Sequence, residues 1–220
     1  MIKKLKYYIS FFYDFPVEKI PSKHSGKLEI AYYKGEYRLN TERVIYSHGK
    51  QYEPFSVSFE KLKIENRKIN SVLILGLGLG SVPVLLNERG LNCKAVCVEL
   101  DKGVIALCEK YLDKSIFKNL DIICADAEAY VENCKEQFDL IISDIFIDNQ
   151  IPRKFQTENY LDQLDKLLAK NGMLMVNRLM TTDALKKESR NYFEKIFSKK
   201  FTEGFSVPSK SNLVLVYENN

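Results

Sequence analysis

From Ser71 onward the chain alternates short apolar runs with amphipathic stretches, the pattern of a parallel sheet carrying helices on both faces. Residues 72–77, 94–100, 121–125, 140–144 and 173–177 read as strands, and 81–89, 102–111, 127–134 and 158–169 as the helices between them. In the last helix Tyr160, Leu164, Leu167 and Leu168 recur at helical spacing, and Asn171 with Gly172 supplies the predicted stop. A further helix over 183–197 is followed by strands at 201–207 and 212–217, separated only by a turn at Pro208. So tight a link demands an antiparallel pair, because parallel strands need a long crossover.

Upstream the texture changes. Leu28, Ile30 and Tyr32 alternate with polar residues, Lys34 and Gly35 supply a turn, and Tyr37 with Leu39 resumes the alternation. The stretch reads as β-rich and free of helices, preceded by an irregular or helical arm, with the polar run 66–70 as linker. The expected division is an arm and small antiparallel β appendage over 1–68 and a Rossmann-like domain over 69–220. A mostly parallel seven-stranded sheet ending in an antiparallel hairpin is the pattern of the AdoMet-dependent methyltransferase fold, and less that of a dinucleotide dehydrogenase.

Chemistry-bearing residues fall at four successive strand ends. Gly76, Gly78 and Gly80 form a Gly-x-Gly-x-Gly turn between the first core strand and its helix, where backbone N–H groups can face a ligand closely. Glu99 ends the next strand about 20 residues on, placed to accept hydrogen bonds from both ribose hydroxyls of an adenosine. Asp101 reads better as a helix cap. Asp126 follows the third strand and suits an adenine amino group, with the Ala127 amide near the ring; a cap for the following helix is its alternative role. Asp144 ends the fourth strand, where a carboxylate can orient or deprotonate an amine nucleophile. The apolar loop 145–147 then covers it.

Composition narrows the classes. With 45% hydrophobic and 28% charged residues the chain reads as a soluble globular protein, and no run reaches the roughly 18 apolar residues that mark a membrane span. Residues 1–15 mix Lys3, Lys4 and Lys6 with aromatics, but the apolar run is short and lacks a small-residue cleavage site, so a cytoplasmic address is expected. Residues 1–70 hold 14 Lys/Arg against 8 Asp/Glu, leaving the remainder slightly acidic. That imbalance reads as a solvated face, with nucleic acid an unfavoured partner. Cys93, Cys97, Cys108, Cys124 and Cys134 fit core positions in a reducing compartment, and their spacing, with His24 and His48 far upstream, offers no metal site.

Together these residues resemble the spermidine synthase (polyamine aminopropyltransferase) family of AdoMet-type transferases. Glu99 matches its acidic residue after the second strand, 125–127 its Gly-Asp-Ala/Gly element, and Asp144 the first Asp of its Asp-Ser-Ser-Asp-Pro loop. The resemblance implies S-adenosylmethionine, or its decarboxylated form, as cosubstrate. The departures concern the acceptor. Leu79 stands where the family carries the Asp that holds the aminopropyl ammonium, residues 145–147 read Ile-Phe-Ile, and a Tyr-His-Glu run is not evident around 51–59. Each lost charge-assisted bond to a polycation is worth about 1.5–3 kcal/mol. Methyl transfer to an unidentified small-molecule or protein acceptor is therefore the leading expectation. The alternatives are divergent aminopropyl transfer, with Asp148 or Glu128 replacing the missing carboxylates, and a non-catalytic nucleoside-binding or interaction protein. A homodimer through the N-terminal β appendage is also expected.

Overall fold

The computed structural model describes residues 7–113 and 115–219; Lys3, Lys4 and Lys6 lie outside them. Four strands, β1 (Phe15–Ser22), β2 (Gly26–Tyr33), β3 (Glu36–Asn40) and β4 (Ile45–Ser47), form an antiparallel sheet in that order. Lys34 and Gly35 turn the β2–β3 hairpin with positive φ at both positions (49° and 78°), the two-residue turn whose twist matches the strands. The expected arm includes an edge strand, β1, whose Pro16 and Pro21 lack amide donors and are tolerated because only one side of the strand is paired.

The expectation of no helix before Ser71 is corrected by α1 (Glu53–Leu62). Pro54 sits in its first turn, where a missing N–H costs nothing, and Phe55 and Phe59 fall one helical turn apart on the buried side. α1 packs on the larger sheet, joining the core formed by Val72, Ile74, Met175 and Val214.

That sheet is built from β5 (Ser71–Leu75), α2 (Ser81–Glu88), β6 (Lys94–Glu99), α3 (Lys102–Tyr111), β7 (Leu120–Cys124), α4 (Ala127–Asn133), β8 (Phe138–Ser143), α5 (Glu158–Lys166), β9 (Leu168–Leu179), α6 (Asp183–Tyr192), β10 (Phe205–Pro208) and β11 (Asn212–Glu218). Strand order is β10-β11-β9-β8-β5-β6-β7; β5 through β9 run parallel, and β10 and β11 antiparallel to their neighbours. The expected seven-stranded, hairpin-terminated architecture is present. The helix predicted over 158–169 stops earlier, at Lys166, and Asn171 and Gly172, its predicted stop, lie inside β9, where its pairing with β8 shifts register. The helix over 183–197 becomes a π-turn for its last five residues, Phe193–Phe197. Cys93, Cys97 and Cys108 are buried, but Cys124 is exposed, unlike the core position expected for it.

Alternation along the strands feeds two apolar layers. Val72, Ile74, Leu140 and Ile142 meet α1 and α2 on one face, while Leu73, Leu75, Ile141 and Leu174 meet Val131, Leu161 and Leu164 on the other. A third cluster, Leu28, Ile30 and Leu39 with Leu79, Val104 and Leu107, fastens the small sheet to α3 and the glycine turn. Burying each such side chain fully is worth about 1.5–3 kcal/mol, so the small sheet is fixed over the carboxyl ends of β5 and β6.

Candidate active site

Strand order reverses between β5 and β8, and at the carboxyl ends around that point lies a cleft of about 150 Å³. Gly76 and Gly78 line it. Gly76 has φ 96°, and a β-carbon there would run into the Asp144 carbonyl oxygen; Gly78 has φ 54°, and a β-carbon would press on Ser47 of β4. Glycine is thus required by backbone crossings as well as by the cleft. Gly80 is the N-cap of α2 and backs onto the Leu112 side chain, away from the lining.

Glu99 is half-buried at the end of β6. Its carboxylate accepts the Leu77 N–H at 3.1 Å and the Asp101 N–H at 2.9 Å, which pins it across the glycine turn. Burial raises its pKa, and those backbone donors partly offset the effect. Asp101 caps α3 by accepting the Gly103 N–H at 2.8 Å, and it also accepts the Ser22 hydroxyl. Asp126 caps α4 through the Glu128 amide at 2.9 Å, pairs with Lys154 at 2.6 Å and still lines the cleft beside Ala127. Burial opposes its ionisation, but Lys154 and the capping amides hold its carboxyl below the usual range.

Asp144 follows β8 directly. Its Oδ1 accepts the Asn177 amide at 2.8 Å, and the Tyr52 hydroxyl donates to its carboxylate, 3.0 Å from Oδ2. The Asn212 side-chain amide donates to the side-chain oxygen Oδ1 of Asn177 at 3.0 Å, which turns the Asn177 Nδ2 towards Asp144. Loss of surrounding water pushes the Asp144 pKa up to about 7; the Asn177 and Tyr52 hydrogen bonds oppose this, and the Glu99 charge adds to it. A carboxyl poised there suits proton exchange at neutral pH.

Sequence reasoning missed Tyr52 and Asn177. Tyr52 opens a helix that the pattern did not predict, 92 positions from its partner, so no local spacing could have found it. It occupies the stretch where the Tyr-His-Glu run was sought.

The loop over the cleft is held by the small sheet's side of the molecule. Ile145, Phe146 and Ile147 line the cleft with Tyr46 and Phe155. The Tyr46 hydroxyl accepts the Asp148 N–H and also contacts Ser25 at 2.9 Å, while Asp148 accepts Thr41 at 2.7 Å and meets Arg43 at 3.4 Å. Asp148 and Glu128, the suggested replacement carboxylates, are engaged with Arg43 and Lys154 respectively and do not line the cleft. Leu79 also turns away from it, into the apolar cluster with Leu28 and Ile30.

Residues 60–218 match the model of the spermine/spermidine synthase domain. The chain belongs to that family. A polyamine aminopropyltransferase of Vibrio vulnificus is 30% identical over 149 residues, covering 66% of this chain and 49% of that protein. The chain thus spans about half the length of that relative. An eEF1A lysine and N-terminal methyltransferase homolog of Drosophila pseudoobscura pseudoobscura is 24% identical over 135 residues, 57% of this chain and 20% of that protein. Among solved structures, the spermidine synthase of Thermotoga maritima superposes with a TM-score of 0.69 at 18% identity, over 94% of this chain and 73% of that one. This likeness supports the fold, an AdoMet-type transferase architecture, which the strand order shows independently.

Proposed function

We propose that the protein transfers an alkyl group from the sulfonium of an AdoMet-type nucleoside to an amine, with Asp144 receiving the amine proton. The observation that carries this reading is the placement of Asp144: its backbone crosses the glycine turn at Gly76, its pKa stands near 7, and Tyr52 and Asn177 hold its carboxylate. Glu99 would accept the ribose hydroxyls, and Asp126 with the Ala127 amide would face adenine. Gly76 and Gly78 would border the sulfonium, with Gly80 supporting the turn. An AdoMet-type sulfonium supplies the electrophilic carbon. The amine lone pair forms the new N–C bond, the C–S pair returns to sulfur to leave a thioether, and the proton passes to Asp144. Alignment supplies most of the acceleration in such a displacement.

Aminopropyl transfer from decarboxylated AdoMet is the form best supported. It agrees with the Vibrio relative and with the charges around the cleft: Glu99, Asp101, Asp126 and Asp144 line it, and the lining lysine, Lys154, is already paired with Asp126 and Glu128. Such a lining favours a dicationic donor over one bearing a methionyl carboxylate. Methyl transfer, the leading expectation from sequence, remains the second reading. It is favoured by Leu79, which puts an apolar side chain in the core where the resemblance calls for a carboxylate, and by the methyltransferase relative.

Mass spectrometry of amine acceptors incubated with each donor tests the reading. We expect an aminopropyl adduct with decarboxylated AdoMet that disappears in Asp144→Asn. A methyl adduct from AdoMet alone would transfer the conclusion to the second reading, and no adduct with either donor across diamines and acceptor peptides would overturn both.

A further inference from the structure

Arg178 of β9 is among the largest fully buried side chains described, with 2% of its side chain exposed. Its guanidinium stacks 4.2 Å from the centre of the Tyr192 ring. Nη2 donates to Gln156 at 2.9 Å and to Glu188 at 3.2 Å, whereas Nε and Nη1 have no hydrogen-bond partner among the described residues. Its carboxylate partner, Glu188, is half exposed. A buried cation with bare donors is expensive unless something completes its coordination.

Arg178 lines a groove of about 380 Å³, together with Asn149, Arg153, Gln156, Glu188 and Ser189. The groove is separate from the nucleoside cleft, yet the two share one wall. Within the segment 145–156, Ile147, Pro152, Lys154 and Phe155 face the cleft, while Asn149, Arg153 and Gln156 face the groove. Arg153 and Arg178 against Glu188 leave the groove one positive charge in excess. Gln156 and Glu188 both line the groove and both bind Nη2, so the guanidinium meets the groove at an atom held by a displaceable carboxylate.

We propose that this groove is a binding site for a small oxyanion, the phosphate or carboxylate group of a metabolite, held by Arg178 and Arg153. The planar guanidinium matches such groups in geometry as well as charge. Glu188 holds that position in the structure, and the ligand displaces it towards solvent. The proposal concerns binding alone and stands apart from the identity of the transferred group.

Inorganic phosphate and malonate, each titrated calorimetrically at constant ionic strength and without nucleoside, test it and distinguish the two ligand classes. We expect saturable binding of at least one of them. Arg178→Met should weaken it at least about tenfold, the loss expected for one charge-assisted pair; Arg153→Gln should weaken it less. Because Glu188 is half exposed, Arg178→Met leaves no buried charge unpaired, and the variant should fold. Glu188→Gln, at a half-exposed position, should tighten binding several-fold by removing the competing carboxylate, and this variant does not depend on how Arg178→Met folds. No saturable binding in the wild type and Glu188→Gln, weaker binding in Glu188→Gln, or undiminished binding in folded Arg178→Met would overturn the proposal.

Discussion

The two walls of the cleft are built in different ways. The wall formed by the ends of β6 and β7 takes Glu99, Asp126 and Ala127 from strand–turn–helix units, each fixed by donors within a few residues or by the neighbouring glycine turn. The opposite wall takes Asp144 from β8, Tyr52 from the start of α1, Asn177 from β9 and the loop 145–147, which is held from Thr41 and Tyr46. The first wall is polar and, apart from the Asp126–Lys154 pair, local. The second is assembled across the chain and is largely apolar outside the Asp144 cluster. On the proposed reading, features that recognise a nucleoside stay within short motifs, while the acceptor side depends on how distant segments pack.

The difference can be broken on the acceptor wall first. Asp144→Asn should lower turnover by about 10²- to 10⁴-fold, the usual worth of a positioned base, while nucleoside affinity stays within a few-fold; equal losses in both would erase the division between the walls. On the nucleoside wall, Glu99→Ala should cost about a hundredfold or more in nucleoside affinity, since two charge-assisted bonds are lost. Unchanged affinity by calorimetry would remove Glu99 from the ribose.

Leu79→Asp places a carboxylate among Leu28, Ile30 and Val104 and should destabilise the fold by about 3–5 kcal/mol, the cost of an uncompensated buried charge, readable by denaturant unfolding. A variant of wild-type stability would show that this position opens to the cleft after all. Tyr52→Phe should act more gently. It removes a donor that favours the charged form, so the Asp144 pKa rises, and the acid limb of the rate profile, expected near pH 7, moves to higher pH.

A stability effect accompanies the catalytic one. The folded-state pKa of Asp144 is raised above its unfolded value, so the folded state retains a proton that the unfolded chain releases. The resulting advantage is complete below about pH 4 and is lost as pH rises towards about 7. Asp144→Asn should therefore gain thermal stability over the wild type at pH 8 and little at pH 4, as followed by Tm in two buffers.

The same contrast governs what was legible in the sequence. Alternation and helical spacing located β5 to β8, α2, α3 and the terminal hairpin, because each is written in contiguous residues. Asp101 read correctly as a cap because its donor lies two residues on. Asp126 proved to serve as a cap while also lining the cleft, two roles a linear pattern cannot separate. α1 escaped because its apolar residues, Phe55 and Phe59, follow Tyr52 and Pro54 in a stretch that resembles the β-rich texture before it. Tyr52, Asn177 and Arg178 escaped because their significance lies in partners on other elements. Leu79 was recognised as a departure, but only packing shows that its side chain leaves the cleft for the small sheet.

The most direct test of the central claim is calorimetric titration of the wild type and Glu99→Ala with decarboxylated AdoMet, AdoMet, methylthioadenosine and S-adenosylhomocysteine side by side. The account predicts that the wild type binds these nucleosides, the decarboxylated donor and methylthioadenosine more tightly than the methionyl pair, and that Glu99→Ala loses them all. Tighter binding of the methionyl pair would contradict the preference for aminopropyl transfer, and no binding of any of the four would contradict the nucleoside cleft itself.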